Sequence, residues 1–524
     1  MTRPTVELQV PESVALEGLK ALFSGQYGVG EEVERQVERT YLESFDWRVF
    51  NSGGVIESVT DGGGSTALVW RKRKTDEVLH RLRVTKAPGL VEDLPEGAFR
   101  RRLAPILEMR RLLPLVTVQS HLQTLRVLGA EEKTVVRLEF ERARFLTTDG
   151  EYGGELGARV HLVPVRGYDA DFDRVRKLLT THLAPVDVTL FDNALLAIGR
   201  VPNDYSSKLN YRLNPAERAD RTAKEILLGL LRTLETNVDG ARANVDSEFL
   251  HDLRVATRRT RSALTQIKSV FPTEVTERFK EGFAWVGQVT GPTRDMDVYL
   301  LALDGYKAGL PAMLRDDLEP LREFLTAHHA EEQKGLARKL TSPHFRKLLK
   351  EWRTFLEAPV PNVPLPANAV RPAKEVADER IWRMYRRVMK EGRAIHDGSP
   401  PEELHELRKS CKKLRYLMEF FDSLYPGNHV RTLVKVLKVL LDNLGDFQDL
   451  EVQAHALRRF AESMVDENRA APGTLLAMGA LIGGLAEHQR EARARFAETF
   501  AGFDTRENNL LFKALFKPVT GAGS

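Results

Sequence analysis

Two stretches of this 524-residue chain carry the same basic pattern, 154 residues apart: His251-Asp-Leu-Arg-Val-Ala-Thr-Arg-Arg-Thr-Arg and His405-Glu-Leu-Arg-Lys-Ser-Cys-Lys-Lys-Leu-Arg. On a helix turning roughly 100° per residue, His251, Arg254, Arg258 and Arg261 fall within a sector of about 80°. Leu253, Ala256, Leu264 and Ile267 occupy a separate, core-facing sector. The second copy repeats the division, with His405, Arg408, Lys412 and Arg415 against Leu407, Leu414, Leu417 and Phe421. Arg259 and Lys413 flank the stripe, Lys409 lies on its near edge, and Arg232 falls on Arg386 at the same offset. Asp252 and Glu406 are the acids within these segments, and the spacing points both away from the row. Such a row repels itself by a few tenths of a kcal/mol for each like-charged i,i+4 neighbour, and a bound polyanion would relieve that. Arginine offers bidentate hydrogen bonds to phosphate and lysine a mobile point charge, so the mixture suits a repeating phosphate ligand. The alternative is a solvated face, or one paired with a neighbouring helix; its recurrence in both copies favours a ligand. The histidines read equally as phosphate contacts, core residues or helix–helix hydrogen-bond partners. If they touch phosphate, affinity should strengthen as pH falls through about 6.5.

A second repeated motif, Gly291 to Val298 and Gly445 to Val452, carries Asp295, Asp297, Asp449 and Glu451. Paired carboxylates admit Mg²⁺, but pairing with arginines such as Arg294, or orienting the basic row, is the expectation. No His/Cys set has zinc spacing. No metal or cofactor is therefore expected.

The elements that must position these residues follow from the rhythm of the chain. From residue 215 the apolar period is helical, interrupted by one longer Pro-rich loop, Ala358 to Pro372. The offset of 154 also carries Phe271-Pro272 onto Tyr425-Pro426. A duplicated bundle of roughly four helices, packed about an approximate two-fold axis, explains it. Residues 1–200 instead alternate apolar and polar positions, as at 67–73, 79–84 and 134–141, with helical spacing at 98–113 and 172–183. Glycines 53–54 and 62–64 mark turns, and residues 201–214 read as a linker. The predicted fold is α+β multidomain: an antiparallel β domain with flanking helices over 1–200, then an all-α domain over 215–515 with repeats at 215–357 and 372–515.

A net charge of +4 is small for this length, so polyanion binding must be argued from where the charges sit. One cysteine, Cys411, excludes an intramolecular disulfide and suits a reducing compartment. No uncharged apolar run of about 18 residues appears, and the first 13 residues lack the apolar core of a signal peptide. A cytoplasmic protein without membrane contact is the resulting expectation.

At these motifs residues 215–515 resemble the CHAD family, the conserved histidine α-helical domain, through His-x-x-Arg-x-x-x-Arg-Arg-x-Arg at 251–261 and Gly-x-x-Arg-Asp-x-Asp-Val at 291–298. The resemblance implies two four-helix bundles binding inorganic polyphosphate in a basic channel between them. The second copy departs at Lys409, Lys412, Lys413 and Gln448 but keeps most of the charge. Residues 1–200 resemble a degenerate CYTH domain, an antiparallel tunnel that holds triphosphate and divalent metal. The family's opening Glu-x-Glu-x-Lys stands here as Glu7-Leu-Gln9-Val-Pro11. Arg71, Arg73, Lys74, Arg81, Arg83 and Lys86 would line a basic tunnel, Glu139 and Glu141 match an acidic strand, and the last strand, 159–165, lacks glutamates. Metal-assisted phosphoryl chemistry needs several carboxylates, so an inactive or merely anion-binding tunnel is expected rather than a triphosphatase or cyclase. A nucleic-acid binder is the third reading. It would add stacking aromatics, and Tyr416 alone lies beside a motif, so nucleic acid should compete weakly at most.

Overall fold

A computed structural model describes residues 5–11, 14, 16–23, 25–31, 34–129, 131–147, 149–361 and 366–518. Residues 1–4, 12 and 13 of the opening stretch, and 362–365 of the Pro-rich loop, lie outside the described residues. The chain divides into two compact units, Met1–Ser206 and Ser207–Ser524.

In the first unit, strands β1 (Val6–Val10), β2 (Gly28–Glu31), β3 (Arg35–Glu43), β4 (Gly54–Asp61), β5 (Thr66–Lys72), β6 (Val78–Val84), β7 (Leu113–Leu128), β8 (Thr134–Leu146), β9 (Tyr152–Pro164) and β10 (Ala184–Pro185) form one sheet. The order is β10-β1-β9-β8-β7-β3-β4-β5-β6, with β2 also on β7, and every pairing is antiparallel. Five helices accompany it: α1 (Leu16–Ala21), α2 (Arg48–Asn51), α3 (Ala98–Leu107), α4 (Asp169–Thr180) and α5 (Leu190–Ala197). Alternation sends Leu8, Leu138 and Val160 to one face against Phe172, Val175 and Leu179 of α4. Ile56, Leu68 and Trp70 on that same face meet Phe99, Leu103 and Leu107 of α3. The other face is apolar at one end, where Phe191, Ala194 and Leu195 of α5 cover Tyr41, Val116 and Val118. Its remainder carries charge. The helix expected over 98–113 stops at Leu107, because Glu108 adopts φ 51° and Leu113 already belongs to β7. Within the stretch expected as linker, Asp204 is held in the first unit by the Trp47 indole N–H at 2.8 Å, and the Tyr205 ring packs at a tilt against Phe45.

The second unit contains α6 (Ala219–Arg242), α7 (Ser247–Gln266), α8 (Thr273–Val289), α9 (Gly291–Gly309), α10 (Glu319–Leu340), α11 (Pro343–Glu357), α12 (Ala373–Ala394), α13 (Pro401–Phe421), α14 (His429–Asp466), α15 (Pro472–Ala494), α16 (Phe496–Phe503) and α17 (Arg506–Phe516). The offset of 154 lays α6 on α12, α7 on α13 and α10 on α15. Helices α8 and α9 map together onto the single α14. Pro292 removes a backbone donor near that junction, and its counterpart Asp446 does not. Each repeat builds a bundle. Phe279 and Phe283 of α8 pack on Trp352 of α11 beside α6 and α7, while Tyr385 of α12 stacks on Phe512 of α17 beside α13 and α14. A third helical core, which the sequence reading did not include, joins the copies: α9 and α10 pack against the second half of α14 and α15, with Tyr299 edge-on to Phe460.

The approximate two-fold axis is visible in the backbone. Ala219 donates to the Arg371 carbonyl at 2.9 Å, and Ala373 donates to the Glu217 carbonyl at 2.8 Å. One residue on, Asp220 donates to the Ala369 carbonyl and Lys374 to the Pro215 carbonyl. Both members of each pair are related by 154 residues, as a two-fold relation requires.

Candidate functional site

Helix α7 starts where Asp246 caps Glu248 and Phe249, and its apolar stripe buries Phe249, Leu253, Ala256 and Leu264. Helix α13 buries Leu407, Cys411, Leu414 and Leu417 in the same way. This packing turns both basic stripes to the opposite side, and α7 and α13 lie against each other.

Arg258 and its repeat counterpart Lys412 confront one another there. Burial, then the charges of Arg408 and Arg258, push the Lys412 ammonium down to about 8. Burial and Arg258 likewise lower Arg254. The self-repulsion expected of the row is therefore present, and it crosses the axis. Among the described residues Arg258, Arg261 and Lys412 form no ion pair. Arg254, Arg258 and Arg261 line a depression of about 240 Å³ with Gly287 and Gln288 of α8.

Arg254 donates to the Gly287 carbonyl at 3.0 Å and to Thr290 Oγ1 at 2.9 Å, at the carbonyl end of α8 where a cation is favoured. Its counterpart Arg408 has Leu444 in place of the threonine and pairs with Asp449 at 3.0 Å. The two arginines pass the glycines that open the second motif in the same way: a Cβ on Gly291 would lie 3.7 Å from Arg254 Nη1, and one on Gly445 3.7 Å from Arg408 Nη2, both ordinary van der Waals distances. Each arginine thus rests on the helix backbone at the motif.

The histidines join the two motifs. Arg294 Nη2 donates to His251 Nδ1 at 3.1 Å, and His405 Nδ1 lies 2.5 Å from Gln448 Oε1. Gln448 is the counterpart of Arg294, so both histidines are interhelical hydrogen-bond partners through the same ring atom. Asp297 is bound by His329 of α10 at 2.9 Å, with Arg294 at 3.8 Å. Burial raises Asp295, although Arg254, Arg459 and Arg294 oppose the shift. The aspartates of the second motif therefore pair with or face the arginines, as expected.

Other flanking residues are not where the spacing put them. Arg259 and Arg415 share Glu419, at 2.8 and 3.3 Å, and Arg259 also reaches the Ser207 carbonyl. Lys409 pairs with Glu406 at 2.8 Å, so Glu406 does not point away from the cations. Lys413 faces a different cleft, beside Arg380 and Arg387. Arg232 and Arg386 are exposed on α6 and α12 and form no ion pair among the described residues. Glu419 and Arg459 were missed. Glu419 stands four residues after Arg415, a spacing that could have revealed it.

The charged face of the sheet contrasts with this. Register puts Glu7, Arg39, Glu57, Arg71, Arg81, Arg83, Glu139, Glu141, Arg159 and His161 on one side. Glu141 binds Arg39 at 2.8 Å and His161 at 2.7 Å, Glu57 binds Arg71 at 2.7 Å, Glu7 binds Arg159 at 2.9 Å, and Glu139 binds Arg35 at 2.7 Å. Burial raises Glu141, but Arg39 and His161 outweigh it and hold the carboxyl well below the usual range. Asp76, in the β5–β6 turn, feels the charges of Glu7 and His161, so the sheet curls over. No ladder joins β6 to β10 among the described residues. Arg73 lies over the Phe50 ring, while Lys74 and Lys86 are exposed in turns.

Residues 225–458 match the CHAD domain. The CHAD match begins in α6 and ends within α14, so it takes in both basic stripes and both second motifs. An uncharacterized protein of Mycobacterium tuberculosis is 27% identical over 346 residues, which are 61% of this chain and 63% of that protein. This chain thus matches less than two thirds of that relative's length. The CHAD domain from the plant Ricinus communis is 23% identical, with 57% of this chain and 96% of that one covered and a TM-score of 0.47. The Hippeastrum protein HpAC1, with a dominant triphosphatase activity, is 11% identical over 38% of this chain and 99% of that one, with a TM-score of 0.28.

Proposed function

We propose that the helical unit binds inorganic polyphosphate along the α7–α13 crossing, as a receptor rather than an enzyme. The observation that carries this is the confrontation of Arg258 with Lys412, two symmetry-related cations without ion-pair partners among the described residues, with the lysine pushed down to about 8. A phosphate chain laid across the axis would relieve that repulsion and meet Arg254, Arg261, Arg408 and Arg415 on either side. The two stripes hold cations without a stacking platform, which suits a ligand without bases. A regulatory or granule-recruiting role in the cytoplasm belongs to the same reading.

The test is a titration with long-chain polyphosphate, single-stranded DNA and triphosphate, using wild type and R258A/K412A. Tight, selective polyphosphate binding that falls about 100-fold or more in the variant is expected, since contacts between charged groups contribute about 1.5–3 kcal/mol each. The log–log salt slope should be of order −5 for about eight engaged cations. Equal DNA binding, unchanged affinity in the variant, or a slope near zero would overturn the reading. Divalent-dependent phosphate release abolished by E139Q and E141Q would instead move the activity to the sheet.

A further inference from the structure

The two repeats form a matching pair of grooves beside the C-termini of α7 and α13, and these grooves have diverged. The groove at the end of α13 is filled by the chain's own residues 207–213. Tyr211 lies 3.8 Å from where a Cβ on Gly229 would stand and donates to the Phe420 carbonyl at 3.1 Å. The Leu213 amide donates to Ser423 Oγ at 3.1 Å, and Arg259 is neutralised there by Glu419.

At the end of α7 the counterpart positions line, among the described residues, a cleft of about 630 Å³. The offset of 154 allows position-by-position comparison. Ile226, Gly229 and Thr233 of the filled groove become Arg380, Arg383 and Arg387 in the cleft, Asp422 becomes Lys268, and Glu419 becomes Thr265. All five changes add positive charge or remove negative charge. Val434 becoming Lys280 is a sixth such change; two lining positions go the other way, Arg431 becoming Glu277 and Arg212 becoming Pro366, and Glu277 is taken up by Lys280 at 2.8 Å. Lys413 completes the lining.

Arg383 and Arg387 keep surface partners in Glu379 and Glu391. Arg380 does not. It is 5% exposed, its Nε donates to the Gln266 carbonyl at 2.7 Å, and no ion pair neutralises it among the described residues. A buried guanidinium beside like charges is costly unless an anion joins it.

We propose that this cleft is a second phosphate-binding site, built on Arg380, Lys268, Arg387 and Lys413 and distinct from the α7–α13 crossing. Its ligand chemistry is a phosphate oligoanion, supplied either by a free oligophosphate or by another stretch of a long polyphosphate chain. The chemistry rests on the cleft itself and does not require the crossing to bind.

The test installs the residues of the filled groove, K268D/R387T, and leaves the helix-anchoring Arg380 intact. Triphosphate and long-chain polyphosphate are titrated by calorimetry into wild type, K268D/R387T, R258A/K412A and the fourfold variant, each checked for an unchanged melting curve. In the R258A/K412A background, triphosphate should still bind, and adding K268D/R387T should weaken it at least tenfold. If one chain spans both sites, each double variant weakens long-chain binding. If free oligophosphate is the occupant, K268D/R387T affects triphosphate alone. Triphosphate affinity unchanged by K268D/R387T in both backgrounds would overturn the second site. Loss in K268D/R387T with no effect of R258A/K412A would keep this site and remove the crossing.

Discussion

The sheet of the first unit and the α7–α13 face of the second both gather arginines on one surface, yet they treat them oppositely. On the sheet, strand register interleaves acid with base, so that Arg39, Arg71 and Arg159 each meet a carboxylate within 3 Å. On the helices, Arg258, Arg261 and Lys412 form no ion pair among the described residues, and at Lys412 the charges of Arg408 and Arg258 outweigh that of Asp449. The same residue type is a structural tie in one place and unspent charge in the other. What separates them is whether the neighbouring element supplies the counter-ion.

The largest way to break this contrast is at Glu141, which is 2% exposed and holds both Arg39 and His161. E141A should cost about 3–5 kcal/mol of stability, measured by denaturant unfolding of the full chain, because it leaves Arg39 buried without its main partner. The Glu141 carboxyl is lower in the folded state, so its contribution is complete above the unfolded value of about 4.3 and is lost as pH falls toward the folded one. The E141A variant should accordingly show a weaker acid dependence of stability. Next comes R258A/K412A, for which thermal melting should hold or rise slightly while polyphosphate affinity falls about 100-fold, or about 2.7 kcal/mol. A matching loss of stability would make these residues ties like those of the sheet.

Smaller effects sharpen the comparison. Lys412 sits at about 8 when free and should return toward the usual lysine value on meeting phosphate. Binding then takes up a proton above pH 8, so affinity should be flat below pH 8 and decline above it, by at most tenfold per pH unit; K412R should flatten that decline. The smallest effect is at Glu419, whose removal frees Arg259 and Arg415. E419Q should tighten polyphosphate binding about twofold, in keeping with the modest strength of partly exposed pairs.

Much of this was legible from spacing alone. The stripes, the helix pair and the offset all follow from periodicity, because both copies must bury Leu253 and Leu407 in the same way. The repeat of Gly291 at Gly445 was visible as a motif, although the matching passage of Arg254 and Arg408 beside them was not. The third helical core was invisible because it pairs α9 and α10 with segments about 150 residues away, and amphipathic pattern names a buried face without naming its partner. Glu419 could be read as a partner of Arg415 four residues before it, but its bond to Arg259 could not, because that bond spans 160 residues. In the sheet, alternation identified strands, but only register could show that Glu139 and Glu141 share a face with His161 and Arg159.

The reciprocal bonds between Ala219 and Arg371 and between Ala373 and Glu217 have a further consequence. They make each half stand to the other as one subunit of a homodimer stands to its mate, except that a single chain encodes both. Two identical subunits can only mutate in tandem, so a gain at one groove is forced on its twin. Joined in one polypeptide, the halves are released from that bond of identity, and one groove can admit its own chain while the other accumulates arginine.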